Sequence, residues 1–213
     1  MDKNLVIIGA RAMGREACNY AKECGFVVKG FLDSDKSALD GFDGYPEILD
    51  TAEDYTPNSD DVFVCAIGDP KYRQYYTSIM SLKGAKFCSI IHPTAYVGPN
   101  VQIGEGSIVC PNATLTCDLT LGRQVIVNVN SSISHDCSIG DFCSISPGVS
   151  IAGRVRINNF AFLGVGVKVI PDVELASNVI VGAGAVVTKS CCSKGVTLVG
   201  VPAKPKYKCI NEN

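Results

Sequence analysis

The chain has 213 residues, of which 46% are apolar and 19% charged, with a formal net charge of −2. This composition is typical of a globular protein with one large or two small cores, and it excludes a disordered chain. A weakly acidic chain has no basic field for nucleic acid or an anionic membrane. The apolar run at 5–10 is too short for a membrane span or a signal peptide, so we expect a cytoplasmic protein.

Eleven cysteines raise the question of disulfides or a metal site. Their number is odd, no two form a Cys-x-x-Cys pattern, and only two histidines accompany them. A zinc site needs clustered ligands at characteristic spacings, which this sequence lacks. We therefore expect reduced cysteines that serve as small apolar residues, and no bound metal.

Residues 1–86 alternate between strand and helix patterns. Strands are predicted at 5–8, 26–31 and 61–67, and helices at 13–24 and 70–83. Strands that alternate with helices predict a small, open, Rossmann-like α/β domain with a parallel sheet.

From Ile91 to Val187, every sixth residue is Ile, Val or Leu, seventeen times in succession. A second column, two residues earlier, is mostly small and includes Cys137 and Cys143. One bulky and one small inward position every six residues predict a three-sided solenoid with eighteen residues per coil, which we assign to 87–190. Residues 191–213 are expected to be a tail. Glycines that follow many of the bulky residues are expected at turns with positive φ: Gly98, Gly104, Gly122, Gly140, Gly164 and Gly182.

A three-sided prism without long loops has no deep pocket of its own. A site must then form between neighbouring prisms or against the N-terminal domain, and closed cyclic assembly is the simplest arrangement that supplies it.

Four segments carry a resemblance to a known family: GARAMG at 9–14, SSISHDCSIG at 131–140, VGAGAVVTK at 181–189 and GVPAK at 200–204. Together they resemble the hexapeptide-repeat acyltransferases, and within them the sialic acid O-acetyltransferase and bacillosamine-pathway amino-sugar N-acetyltransferase type. The resemblance implies a left-handed parallel β-helix, a homotrimer, acetyl-CoA as donor and a nucleotide-linked amino sugar, such as a UDP-4-amino sugar, as acceptor.

Two histidines are candidates for a general base. His92 stands at the entrance of the solenoid, where we expect a turn role. His135 lies outside both inward columns, so its imidazole should leave the prism, and an imidazole can take a proton at cellular pH. The resemblance implies that His135 is the base and Asp136 the carboxylate that orients it. We expect their contact to cross a corner of the coil or a subunit boundary.

The eighteen-residue period places Cys117, His135 and Gly153 in one column on successive coils. The amide of Gly153 can donate to a thioester carbonyl as that oxygen gains charge, a role that the resemblance also implies. Cys117 raises the possibility of an acyl-enzyme. The resemblance implies direct transfer, and we expect Cys117 to be a surface cysteine without a catalytic role.

The resemblance also implies residues for the two substrates. For acetyl-CoA they are Ser144, Gly153, Val165 and Ala183, with Ser144 standing where the family often has a second histidine. A basic C-terminal end would suit the phosphates: Lys189, Lys194, Lys204, Lys206 and Lys208. For the acceptor they are Arg11, Ala12, Met13, Asp33, Ser34, Gly68 and Asn128. Met13 and Ser34 depart from the family's usual histidine and aspartate.

Three functions remain open at this stage. N-acetylation of a nucleotide-linked amino sugar is the first, and O-acetylation of sialic acid or another sugar hydroxyl is the second. The third is a scaffold without catalysis, which would not need a histidine–aspartate pair beside a glycine.

Overall fold

A computed structural model describes residues 4–206 of the chain. The first domain contains β1 (Asn4–Ile8), α1 (Ala12–Glu23), β2 (Val27–Leu32), β3 (Ile48–Asp50), β4 (Asp61–Cys65) and α2 (Pro70–Leu82). The strands form one parallel sheet in the order β3-β2-β1-β4. The α/β domain is thus as predicted, apart from β3, a strand of three half-buried residues that leaves no apolar run in the sequence.

The side chains of β1 point alternately to the two faces of the sheet, and one helix packs on each face. Leu5 and Ile7 join a cluster with α1 and with the solenoid, whereas Val6 and Ile8 pack with Met80 of α2. The first helix therefore lies between the sheet and the solenoid.

The next seventeen strands, from β5 to β21, have two residues each. They are β5 (Ile90–Ile91), β6 (Tyr96–Val97), β7 (Gln102–Ile103), β8 (Ile108–Val109), β9 (Thr114–Leu115), β10 (Thr120–Leu121), β11 (Ile126–Val127), β12 (Ser132–Ile133), β13 (Ser138–Ile139), β14 (Ser144–Ile145), β15 (Ser150–Ile151), β16 (Arg156–Ile157), β17 (Phe162–Leu163), β18 (Lys168–Val169), β19 (Glu174–Leu175), β20 (Ile180–Val181) and β21 (Val186–Val187).

Every third strand pairs in parallel with an offset of eighteen residues, which gives three faces. The first face runs from β5 through β8 to β20, the second from β6 to β21, and the third from β7 to β19. We call the turns from first to second, second to third and third to first face the first, second and third corners. The predicted left-handed parallel β-helix is confirmed.

Both inward columns fill the core of the prism. The bulky column is buried from Val109 onwards, and Cys137 and Cys143 of the small column are 2% and 0% exposed. The ten cysteines within residues 4–206 are free thiols. The prediction that these two cysteines serve as small core residues is confirmed.

The prediction for the glycines after the bulky column was wrong. None of them has a positive φ; that conformation occurs two residues after them, for example at Gly106, Gln124 and Phe142. The glycines are required instead because the next coil approaches too closely for a side chain. A Cβ built on Gly164 would stand 2.7 Å from the backbone nitrogen of Ala183.

The segment predicted as a tail adds two strands to the first face. β22 (Thr197–Val199) pairs in parallel with β20, and β23 (Lys204–Pro205) pairs with it in antiparallel. These strands continue the ladder beyond the last regular coil and cover its open end.

The α/β domain covers the first coils of the first face. Outward residues of that face are apolar there, and Ile90, Ile108 and Ile126 are buried beneath the domain. At one edge of the junction, Nε2 of His92 lies 2.8 Å from Oε2 of Glu23. His92 also accepts from the amide of its own turn, so it has both a turn role and a docking role.

Candidate active site

His135 and Asp136 form a hydrogen-bonded pair at the second corner. Nδ1 of His135 lies 2.7 Å from Oδ2 of Asp136, and half or more of each side chain is exposed. Because an ionised carboxylate can only accept, this contact assigns the proton to Nδ1 and leaves Nε2 free to accept one. The contact crosses the corner within one chain and needs no subunit boundary, because Asp136 adopts the left-handed conformation of the bend, with φ 59°.

Gly153 lies one coil after His135 in the same column. A Cβ built on Gly153 would stand 2.5 Å from Cε1 and 2.6 Å from Nε2 of His135, so the imidazole packs directly on this backbone. The Gly153 amide has no acceptor within residues 4–206. Pro147 and Pro171 hold the equivalent position in other turns, which shows that the ladder does not need an N–H there.

Cys117 lies one coil before His135 and is half-buried. Its hydrogen bond to Asp118 raises the pKa of the thiol above its ordinary value. A thiol with a raised pKa stays protonated at neutral pH and is a poor nucleophile. The geometry therefore gives no support to an acyl-enzyme at this position.

A cleft of about 680 Å³ opens at the carboxyl ends of the strands in the α/β domain. Open parallel sheets bind ligands at this edge, and the volume suits a nucleotide. Six of the seven residues expected to contact the acceptor line it: Arg11, Ala12, Met13, Asp33, Ser34 and Gly68.

The carboxylate of Asp33 shapes the rim of this cleft. Its two oxygens accept from the backbone amides of Ala10, at 2.8 Å, and Asp35, at 2.9 Å. Asp35 in turn accepts from the exposed guanidinium of Arg11 at 3.1 Å. The α1 helix begins here without a side-chain cap, so its first backbone N–H groups are available to phosphate oxygens.

A smaller cleft of about 300 Å³ lies between the α/β domain and the first corner of the solenoid. Asn128 and Ser144 line it together with Met13 and Gly68, so it continues from the larger cleft. Ser144 is 4% exposed, and its hydroxyl donates to the carbonyl oxygen of Gly68 at 2.6 Å. Its hydrogen is therefore already used, and we do not assign Ser144 as the donor to the thioester.

Three residues of this region were not predicted from the sequence. Tyr72 and Tyr76 line the larger cleft from α2, and Arg73 is buried between the domains. The spacing of the two tyrosines by four residues, at the start of a predicted helix, is a signal that could have identified them.

Apart from Ser144 in β14, the residues expected to contact acetyl-CoA lie on two corners of the prism. Gly153 is at the second corner, whereas Val165 and Ala183 are exposed at the first. Six residues of extended chain separate neighbouring corners by roughly 15–20 Å, so one chain does not bring these groups together. Lys189, Lys194, Lys204 and Lys206 are exposed on the late coils, and Lys208 lies outside the described residues.

Within residues 4–206, two structural features are absent. No group of three or more histidine, cysteine or acidic side chains is placed to hold a metal ion. No helix there has the length and apolar character needed to cross a membrane.

Comparison with known proteins agrees with this architecture. Residues 4–79 match the family described as the PglD N-terminal domain. Comparison with curated proteins gives no significant match.

Three solved structures are similar over almost the whole chain. The acetyltransferase domain of PglB from Neisseria gonorrhoeae is 30% identical, with 96% of this chain and 100% of that chain covered and a TM-score of 0.87. PerB from Caulobacter crescentus, in complex with CoA and GDP-perosamine, is 33% identical, with 96% and 97% covered and a TM-score of 0.88. WeeI from Acinetobacter baumannii is 29% identical, with 95% and 99% covered and a TM-score of 0.85.

Proposed function

Because the chain belongs to the hexapeptide-repeat sugar acetyltransferases, and is an acetyl-CoA-dependent enzyme of that family, we propose that it N-acetylates a nucleotide-linked amino sugar with His135 as general base. The observation that carries the proposal is the nucleotide-sized cleft, which continues through Gly68 to the solenoid. PerB was solved with CoA and GDP-perosamine together, and the matching C. crescentus enzyme is a perosamine N-acetyltransferase. The acceptor that we propose is a UDP-4-amino sugar.

The proposed chemistry is a direct transfer. The amine nitrogen of the sugar bonds to the thioester carbonyl carbon while Nε2 of His135 removes a proton from that amine. The Gly153 amide donates to the carbonyl oxygen as it becomes negative. Asp136 stabilises the imidazolium that forms. The C–S bond then breaks, and the CoA thiolate takes the proton back from His135.

The proposal requires more than one protomer. His135 and Gly153 lie at the second corner, whereas the nucleotide cleft and Asn128 adjoin the first corner. A homotrimer that places the second corner of one protomer against the first corner of its neighbour would bring these groups into one groove. Exposed aliphatic side chains on the late coils support such a contact: Val165, Ile170 and Ile180.

O-acetylation of a sugar hydroxyl is the second candidate function. The same base would deprotonate a hydroxyl group, so the geometry of His135 does not separate the two reactions. The nucleotide-sized cleft favours a nucleotide-linked acceptor, because a free sialic acid would leave most of its 680 Å³ unused.

Release of CoA thiol from acetyl-CoA tests the proposal. The screen uses UDP-, dTDP- and GDP-linked 4-amino sugars, with free sialic acid as the comparison. Turnover with the UDP-linked amino sugar supports the whole proposal, and turnover with a dTDP- or GDP-linked amino sugar alone keeps N-acetylation but changes the nucleotide. Turnover only with sialic acid would replace the proposal by O-acetylation.

A further inference from the structure

Arg73 has no exposed surface and reaches from α2 into the solenoid. Its Nε donates to the carbonyl oxygen of Gln124 at 2.8 Å. Its Nη2 donates to the carbonyl oxygen of Phe142 at 2.8 Å and to the hydroxyl of Ser144 at 2.9 Å. One guanidinium thus binds two successive coils of the prism.

The opposite edge of the same guanidinium binds the floor of the nucleotide cleft. Nη1 donates to the carbonyl oxygens of Ile67, at 2.5 Å, and Gly68, at 3.1 Å. Ser144, which accepts from Arg73, also donates its hydroxyl to the carbonyl oxygen of Gly68. Gly68 lines both clefts and therefore marks the point where they meet. The hydrogen bonds of Arg73 and Ser144 attach this point to the solenoid.

Arg73 forms no ion pair within residues 4–206. Burial lowers the pKa of its guanidinium to about 10, which still leaves it charged at neutral pH. A buried charge without a counter-ion costs stability, and an apolar side chain of similar volume would fill the space at a lower cost. The guanidinium has a rigid, planar set of hydrogen-bond donors, and this geometry fixes the orientation of one domain relative to the other.

We propose that Arg73 and Ser144 are a positioning pair that fixes the nucleotide cleft relative to the acetyl-transfer groups of the solenoid. The inference rests on the proposed function, since the pair matters for catalysis only if the cleft holds the acceptor. It also explains the departure at Ser144. An imidazole in this buried place would meet the Arg73 guanidinium, whereas a hydroxyl accepts from it and donates to Gly68.

The test compares Arg73→Lys and Ser144→Ala with the unaltered full chain. Arg73→Lys keeps the charge and loses the planar fork, and Ser144→Ala removes the bridge to Gly68 with little change in volume. Glu23→Ala is the matched control, because it breaks a different side-chain link between the domains, to His92, and Glu23 lines neither cleft. A displacement of about 1 Å between cleft and base can reduce turnover by about 100-fold.

We expect kcat with the nucleotide amino sugar to fall by about 10- to 100-fold in both pair variants. The Kd of the bare nucleoside diphosphate and the KM for acetyl-CoA should stay within about threefold, since each ligand's own contacts remain. Unchanged kcat, or an equal loss in Glu23→Ala, would overturn the inference and leave a purely structural junction.

Hydrogen–deuterium exchange on the same samples tests, independently of turnover, whether the pair holds the two segments together. Amides of residues 66–69 and 142–146 should exchange faster in the pair variants and not in the control. Unchanged exchange overturns the positioning pair. A silent unaltered enzyme with the expected exchange pattern would count against the proposed acceptor while the pair stands.

Discussion

The imidazole of His135 rests on the bare backbone of Gly153, so that even a methyl group at residue 153 would stand 2.6 Å from Nε2. This contact aligns the imidazole with an amide that has no acceptor within the described residues. Both groups lie at the same corner of successive coils, which the eighteen-residue period imposes.

Gly153→Ala should therefore damage catalysis more than stability. Gly153 does not have a positive φ, so alanine fits the backbone, but its Cβ must displace the imidazole. We expect kcat to fall by about 100-fold, while the free energy of unfolding changes by about 1 kcal/mol or less. Steady-state kinetics and denaturant titration measure the two effects, and wild-type kcat would show that the ring position is unimportant.

Asp136→Asn should lower kcat by about 100-fold or more, because the imidazolium loses its anionic partner. Asparagine tolerates the left-handed conformation of this corner, so the fold should be kept. Asp118→Asn is the matched control one coil earlier, since Asp118 bonds to Asn100 instead of a histidine. Similar losses in both variants would refute a specific role for Asp136.

Cys117→Ala should keep kcat within about twofold, since the raised pKa of this thiol disfavours the thiolate. Mass spectrometry of the enzyme mixed with acetyl-CoA alone should show no acetylated cysteine. An acetyl adduct on Cys117 that the acceptor discharges would establish a covalent route instead.

Acid should weaken the α/β domain through Asp61, whose side chain is fully buried against Lys29. Burial alone would raise the pKa of Asp61, but hydrogen bonds from Lys29, Asn58 and Tyr55 lower it below its ordinary value. A carboxyl group whose pKa is lowered by folding stabilises the fold at pH values above its unfolded-state pKa of about 4. This stability is lost as the pH falls through the lower pKa of the folded state.

Asp61→Asn should lower the free energy of unfolding by about 3 kcal/mol at neutral pH, because it leaves Lys29 without its counter-ion. Denaturant titrations between pH 7 and pH 3 should show the gap between variant and parent narrowing towards acid. A gap that is constant with pH would exclude the charge of Asp61 as its source.

The solenoid could be predicted in detail because each inward position repeats every six residues, and pairing partners follow from an offset of eighteen. The same arithmetic placed Gly153 beside His135. It could not show that glycines such as Gly164 are needed for close approach, because that depends on the distance between coils. Arg73 escaped prediction because five of its six acceptors among the described residues are backbone carbonyl oxygens, three of them 51–70 residues away, and backbone carbonyls leave no trace in side-chain patterns.

The most direct test of the account is CoA thiol release by the unaltered chain and by His135→Ala, measured with acetyl-CoA and a UDP-4-amino sugar. We expect turnover by the unaltered chain and a loss of about 100- to 10,000-fold in the variant, with the oligomeric state and the melting temperature unchanged. Turnover that persists in His135→Ala would contradict the assignment of His135 as the base.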